Sequence, residues 1–367
     1  FGSPNKEGTS GVHGAALGED EVKLTREKLG WEYPPFIIPK EVYEVFDARA
    51  TGEAYEDDWN NLLKNYQVDY PEDHSELLRT SLNNLPDNFE DKFNEFLSNC
   101  VEESSKLATR KASQKCLEFF CNQLPEMIGG SADLTGSNNT LSSSNKELLP
   151  ESPEGTHIYY GVREFGMTGI TNGMILHGGI KPYSGTFLVF MDYARNAVRL
   201  SALMKIPNIF VYTHDSIGLG EDGPTHQPIE TCSSLRMIHN LTVIRPSDAN
   251  EVKEAWKAAL LNKKGPTALL FTRQNLVTID RSIHADASGL HDGAYILWES
   301  SKNKPDIILI GTGSEVEIVL EAAKKLSDND VNVRVVSMPS WELFEKKSDD
   351  YKELVLPKNC LKRVVVE

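Results

Sequence analysis

From about residue 105 onward, apolar runs alternate with amphipathic stretches. Residues 127–130, 208–213, 241–245 and 267–272 read as strands, being short, apolar and bounded by polar residues. Residues 251–262 read as a helix, and Asp248 with Glu251 gives it a capping-box-like start. A second such pattern opens at 306–311, continues through 331–338 and reaches a final strand at 363–367. Ser314 and Glu317 fit another capping box there. Strands alternating with helices predict an α/β fold, with a parallel sheet covered on both faces.

The flanks read differently. Residues 1 to about 30 are Gly-rich loops, and 31–104 are polar, acidic and helix-prone, punctuated by Pro34, Pro35, Pro39, Pro71 and Pro86. They read as a connecting arm, and the polar stretch 281–304 as a link between domains. A start at Phe1 without Met, and a finish on a strand expected to be buried, suggest a piece of a longer protein.

Composition narrows the partners. Among 367 residues the net charge is -16, which disfavours nucleic acid or an anionic membrane as a general partner. A local group of Arg and His can still bind an anionic small molecule. No apolar run approaches the length that crosses a bilayer. The cysteines at 100, 116, 121, 232 and 360 are odd in number and form no C-x-x-C pair. They read as reduced thiols in a reducing compartment, the cytoplasm or a plastid.

The densest chemistry lies at 213–228, THDSIGLGEDGPTHQP, directly after the apolar run 209–212. Loops at strand ends carry the chemistry of α/β proteins, so His214, Asp222 and His226 are the first candidates.

At GEDGPTHQP the chain resembles the transketolase family. GSPNKEGTSGVHGAALG at the start, LATRKAS at 107–113, GGSADL at 129–134, YGVREFGM at 160–167, KPYSGTF at 181–187 and FTRQNL at 271–276 resemble that family too, in its order. The resemblance covers nearly the whole chain. It implies a thiamine diphosphate-dependent enzyme moving a two-carbon ketol unit from a ketose phosphate to an aldose phosphate. It also implies a layout: 1–104 as the tail of a diphosphate-binding domain with its arm, 105–290 as a pyrimidine-binding domain, and 291–367 as part of a C-terminal α/β domain. The active site would lie between two subunits of a homodimer.

The resemblance also implies roles. Glu164, in VREFG, would bond the aminopyrimidine ring of the cofactor; a carboxyl drawn into an apolar pocket favours its protonated form. Alone, a helix-start Glu is more often an exposed residue favoured by the helix dipole. Phe187, Phe190 and Tyr193, at three-residue spacing on one side of an expected helix, would form a slot for the pyrimidine ring. Spacing by itself would favour core packing. Arg110, Ser137, His214 and Arg273 would bind the substrate phosphate through charge-assisted bonds and a hydroxyl donor. For Arg110 alone, a surface salt bridge to the acidic arm is the bland reading.

Asp222 would contact substrate hydroxyls and read sugar stereochemistry. His226 and His13 would bind donor hydroxyls and move protons, with His13 also near the cofactor. Asp133 would lie near the cofactor at the subunit contact. His74, His157, His177, His239, His284 and His291 match no motif and read as surface or structural residues.

The family holds the cofactor diphosphate through Mg²⁺ or Ca²⁺ on a Gly-Asp-Gly with a later Asn, an oxygen-rich site suited to a hard cation. No GDG occurs, and the decoy at 221–223 with Asn250 belongs to another motif, so no metal ligand is assigned within the chain. The chain alone would supply the pyrimidine side of a site and would not catalyse the reaction by itself.

Rival readings stay open. Dihydroxyacetone synthase shares the scaffold but takes formaldehyde as acceptor, whereas the expected phosphate ligands Arg110, Ser137 and Arg273 favour phosphorylated acceptors. Deoxyxylulose-phosphate synthase shares a GEDGPTH-like core, whereas THDSIG favours transketolase. Residues 311–316, GTGSEV, could suggest dinucleotide binding but lack a third glycine. A catalytically incomplete chain acting only as a binding partner is the non-enzymatic alternative.

Overall fold

Every residue of the four strands at 181–187, 209–213, 242–244 and 267–271 is buried. That is how strands behave when helices cover both faces of a sheet. The computed structural model describes residues 1–99 and 106–367. In chain order its strands are β1 (Lys106–Ala108), β2 (Met127–Ser131), β3 (His157–Tyr159), β4 (Lys181–Phe187), β5 (Ile209–Thr213) and β6 (Thr242–Ile244). Then come β7 (Thr267–Phe271), β8 (Asn275–Val277), β9 (Tyr295–Glu299), β10 (Ile307–Gly311), β11 (Val333–Ser337) and β12 (Arg363–Val366).

Six of them form a sheet in the order β3-β2-β4-β5-β7-β6, parallel throughout. Alternation along the strands feeds two cores. Ile209, Val211, Leu269 and Phe271 face one core with Leu117, Phe120 and Trp256. Phe210, Tyr212, Ala268 and Leu270 face the other with Met191, Val198 and Leu235. A second sheet, β12-β10-β11-β9, has its own core around Leu297, Leu309, Val319 and Val335. β1 and β8 pair antiparallel as a separate ribbon.

The described residues divide into two compact units, Phe1–Ser75 and Glu76–Glu367, and both sheets belong to the second. The first is helical, with Glu19–Leu29, Lys40–Phe46 and Arg49–Asp69.

Several expectations need correction. The end of the acidic arm is core: Phe89 and Phe93, on helix Phe89–Asn99, lie in stacked geometry with Phe120 at 6.0 and 6.2 Å. The stretch expected to be a link carries β9, which pairs antiparallel with β11. β12 is a sheet edge with mostly exposed side chains rather than a buried strand. Asp248 does cap helix Ala249–Leu261, accepting from Glu251 N at 2.8 Å, while Glu251 reaches back to Ser247 N at 2.8 Å. Ser314 and Glu317 do not form a box: Ser314 makes no capping bond, and Glu317 accepts from Val277 N instead. No disulfide joins the cysteines among the described residues; Cys100 lies outside them.

Candidate anion and aromatic site

The C-terminal ends of β2, β4, β5 and β7 open on one edge of the parallel sheet, where open α/β folds bind ligands. β5 ends at Thr213, and the next residue, His214, is buried in a left-handed backbone conformation, φ 64°. Such a φ is uncommon for a residue with a side chain, and hydrogen bonds hold it here. Thr213 Oγ1 donates to Asn138 Oδ1 at 2.8 Å and lies 2.9 Å from His214 Nδ1. With its proton directed to Asn138, the threonine hydroxyl accepts from His214 Nδ1–H, which leaves Nε2 as the other ring nitrogen.

Two Thr-Arg dipeptides build the charged part. Thr109 opens helix Thr109–Gln123 after β1, and Thr272 follows β7. Both are fully buried and clasp each other: Thr272 N donates to Thr109 Oγ1 at 2.6 Å, and Thr109 N donates to Thr272 Oγ1 at 3.1 Å. Their successors, Arg110 and Arg273, are thereby held close together. Burial, and then the charge of Arg273, lower the proton affinity of the Arg110 guanidinium. Burial first, then Arg110, Arg273 and His226, hold the His214 imidazole down at about 4. Basic groups that lower Arg110 and His214 gather here, within a chain whose net charge is -16.

Arg110 is not tied to the acidic arm. Its Nη1 donates to the Ser137 carbonyl at 2.5 Å, so the structure joins Arg110 to the Ser137 main chain and not to its hydroxyl. Arg273 Nη2 bonds Glu221 Oε1 at 2.7 Å, an acid the sequence reading passed over.

The aromatic part adjoins it. Phe187, Phe190 and Tyr193 do not share a helix. Phe187 ends β4, Phe190 ends a 3₁₀ turn and Tyr193 sits in helix Met191–Met204. Three-residue spacing here spans a strand end, a turn and a helix start. Phe187 is the hub: its ring is 5.7 Å from Phe190 in stacked geometry, 3.8 Å from His214 and 5.9 Å from His226. Phe190 also lies 5.2 Å from His226. Tyr193 is 68% exposed and touches only the edge of the group, 6.0 Å from Phe190.

Glu164 is the first residue of helix Glu164–His177 and is buried, against the bland reading of an exposed helix start. Its carboxylate makes no hydrogen bond or ion pair to another of the described residues. Its carboxyl oxygens keep some contact with solvent and are free to take a ligand as partner.

Asp222 and Asp133 are exposed, and neither side chain bonds another described residue. Asp133 sits in a left-handed conformation, φ 61°, just past β2. His13 belongs to the first unit, where it is exposed and closes the turn Ser10–Val12. Of the histidines outside the motifs, His157 is buried, with Nε2 3.2 Å from Thr135 Oγ1, and His291 bonds Glu254 at 2.7 Å.

The sheet edge, its aromatic hub and its arginine pair make a candidate site for an anion beside a flat ring. Comparison with known proteins agrees in all three parts of the chain. The matching families are the transketolase thiamine diphosphate binding domain over residues 1–86, the transketolase pyrimidine binding domain over 105–278 and the transketolase-like C-terminal domain over 293–367. Transketolase 2 of Vibrio parahaemolyticus is 51% identical over all of this chain, which covers 55% of that protein. A mutant transketolase of Pichia stipitis, solved in complex with fructose 6-phosphate, superposes with a TM-score of 0.90 at 39% identity, over 100% of this chain and 54% of that one. Transketolase from Leishmania mexicana gives 0.90 at 39% identity, over 100% and 53%. The chain belongs to the transketolase family. It spans about half the length of the relatives it matches.

Proposed function

We propose that the whole protein is a thiamine diphosphate-dependent transketolase. It transfers a two-carbon ketol unit reversibly from a ketose phosphate, such as xylulose 5-phosphate, to an aldose phosphate, such as ribose 5-phosphate. The observation that carries this is the convergence of Arg110, Arg273 and His214 beside the Phe187 hub. One part suits a phosphate and the other a flat ring. The Pichia stipitis relative solved with fructose 6-phosphate supports a sugar phosphate as the anion. The arginine pair favours a phosphorylated acceptor over the small unphosphorylated one of dihydroxyacetone synthase chemistry.

The residues present fit the cofactor's pyrimidine ring. Glu164 would offer its partnerless carboxyl to a ring nitrogen, and Phe187 with Phe190 would flank the ring. When bound, the cofactor supplies the carbon nucleophile and electron sink of the reaction. Arg110 and Arg273 would hold the phosphate by charge-assisted bonds, and Glu221 would give up Arg273 to it. Asp222 and His226, on the same loop, would meet the sugar hydroxyls, with His226 carrying a proton. His13, Ser137, Asp133 and Tyr193 keep the roles that the family resemblance implies. Mg²⁺ or Ca²⁺ would be bound by residues beyond this chain.

A homodimer goes with this function. Phe165, Ile170, Leu176, Tyr193 and Leu203 are large, apolar and more than half exposed on two neighbouring helices, a surface suited to a second copy. So does the division near residues 104 and 290. No helix among the described residues is long and apolar enough to cross a membrane, and the cytoplasm or a plastid is the proposed compartment.

The test uses the full-length protein. Arg273→Ala is expected to raise KM for the aldose phosphate by about tenfold or more, with a smaller change in kcat. Glu164→Ala is expected to abolish turnover while leaving the fold intact. Unchanged turnover in Glu164→Ala defeats the assignment.

A further inference from the structure

The turn that carries His214 is held from outside its own sheet. Asp215, the next residue, is 5% exposed, and its Oδ2 accepts from Arg245 Nε at 2.7 Å. Arg245 follows β6 and is 3% exposed. Its Nη1 donates to the Thr312 carbonyl at 3.1 Å and to Glu315 Oε2 at 2.5 Å. Arg245 N donates to the Pro339 carbonyl at 2.9 Å, and Gly313 N donates to the Arg245 carbonyl at 3.1 Å. Thr312, Gly313 and Glu315 form the turn and helix start after β10, in the second sheet.

This is the GTGSE turn whose glycines resembled a dinucleotide loop. Its glycine has another occupant. Gly313 has φ 55°, and a Cβ there would lie 2.7 Å from Arg245 Nε. The turn is shaped around a guanidinium. One fork of the arginine grips the carboxylate beside His214, and the other grips the second sheet.

We propose that Arg245 is a positioning residue, by which the second sheet braces the His214–Asp215 turn and thereby sets phosphate recognition at the anion site. This rests on the functional reading above. The chemistry favours a brace over generic stability. A planar guanidinium shared by two carboxylates and a carbonyl fixes direction as well as distance. A lysine keeps the charge but loses the fork. The left-handed His214 has no glycine-like freedom, so its ring direction depends on what holds Asp215 as well as on the Thr213 hydroxyl.

The experiment compares full-length wild type with Arg245→Lys, on a phosphorylated aldose acceptor and on a short unphosphorylated aldehyde. Arg245→Lys is expected to raise KM for the phosphorylated acceptor by about tenfold and to leave kcat with the unphosphorylated one within about twofold. Unchanged KM, or equal losses on both acceptors, overturns the brace.

Hydrogen exchange gives a readout independent of turnover. Inorganic phosphate is expected to protect the peptide containing residues 213–217 in wild type and to lose that effect in Arg245→Lys. If wild type catalyses no ketol transfer, the functional reading fails by itself, and the exchange result then decides the brace. Equal protection in both proteins, or none in either, overturns it.

Discussion

At the scale of single residues, His214 carries the clearest electrostatic signature. Burial and three neighbouring basic groups hold its imidazole at about 4, against an ordinary 6.5. Between those values the unfolded chain binds the proton that the folded chain refuses. Its contribution to stability is therefore complete above about 6.5 and is lost as pH falls toward 4. His214→Asn should lose less stability than wild type between about pH 7.5 and 5, measured as the change in urea midpoint. Parallel pH slopes would refute this account. His214 was legible in the sequence because it directly follows an apolar run. Arg245 was not, since its partners lie 30, 67 and 70 residues away and nothing local announces a buried guanidinium. Glu164 needed the motif to be noticed at all; composition around a helix start cannot tell a buried carboxylate from an exposed one.

At the scale of elements, the arginine pair depends on a clasp between a helix start and a strand end. Thr109 and Thr272 exchange main-chain and side-chain bonds with no solvent access. Thr272→Val keeps the shape and removes the hydroxyl, leaving Thr109 N without its acceptor. The expected cost is about 1–3 kcal/mol in urea unfolding, together with a raised KM for the phosphorylated acceptor. Thr272→Ser should restore most of both. A stable Thr272→Val protein with unchanged KM would remove the clasp from the account.

Strands β3 and β4 of the parallel sheet, in HIY and KPYSGTF, were not legible in the sequence, whereas β2, β5, β6 and β7 were legible from their apolar runs. So was the helix capped by Asp248, because those elements are buried along their length and say so in composition. The aromatic trio was misread as one helical face because spacing cannot tell a helix from a strand end followed by a tight turn. β9 was missed because its short apolar run, YILW, lies inside an otherwise polar stretch that reads as a link. The repeated Thr-Arg dipeptide was visible in LATRKAS and FTRQNL, but its meaning needed the third dimension.

At the scale of the whole molecule, the two sheets of the larger unit are joined through a polar contact rather than an apolar one alone. Gly313→Ala places a methyl group where Arg245 lies, at a φ that disfavours side chains. It should cost about 1–3 kcal/mol and reproduce the rise in KM of Arg245→Lys. Gly52→Ala, in a helix with open space around the added carbon, should leave KM unchanged and raise stability by about 0.5–1 kcal/mol. Calorimetry and acceptor kinetics on the same preparations check both outcomes. A Gly313→Ala protein with wild-type kinetics would argue that the second sheet is a passenger.

The threonine clasp also sets a timetable. Thr109 and Thr272 stand 163 positions apart in the chain. A ribosome making this protein releases the first long before the second. Until residue 273 has emerged and β7 has slotted between β5 and β6, the guanidinium pair does not exist. Contacts of such long separation form late, after the local helices. Capture of a small anion by a nascent chain would thus serve as a clock, starting only when the sheet has closed.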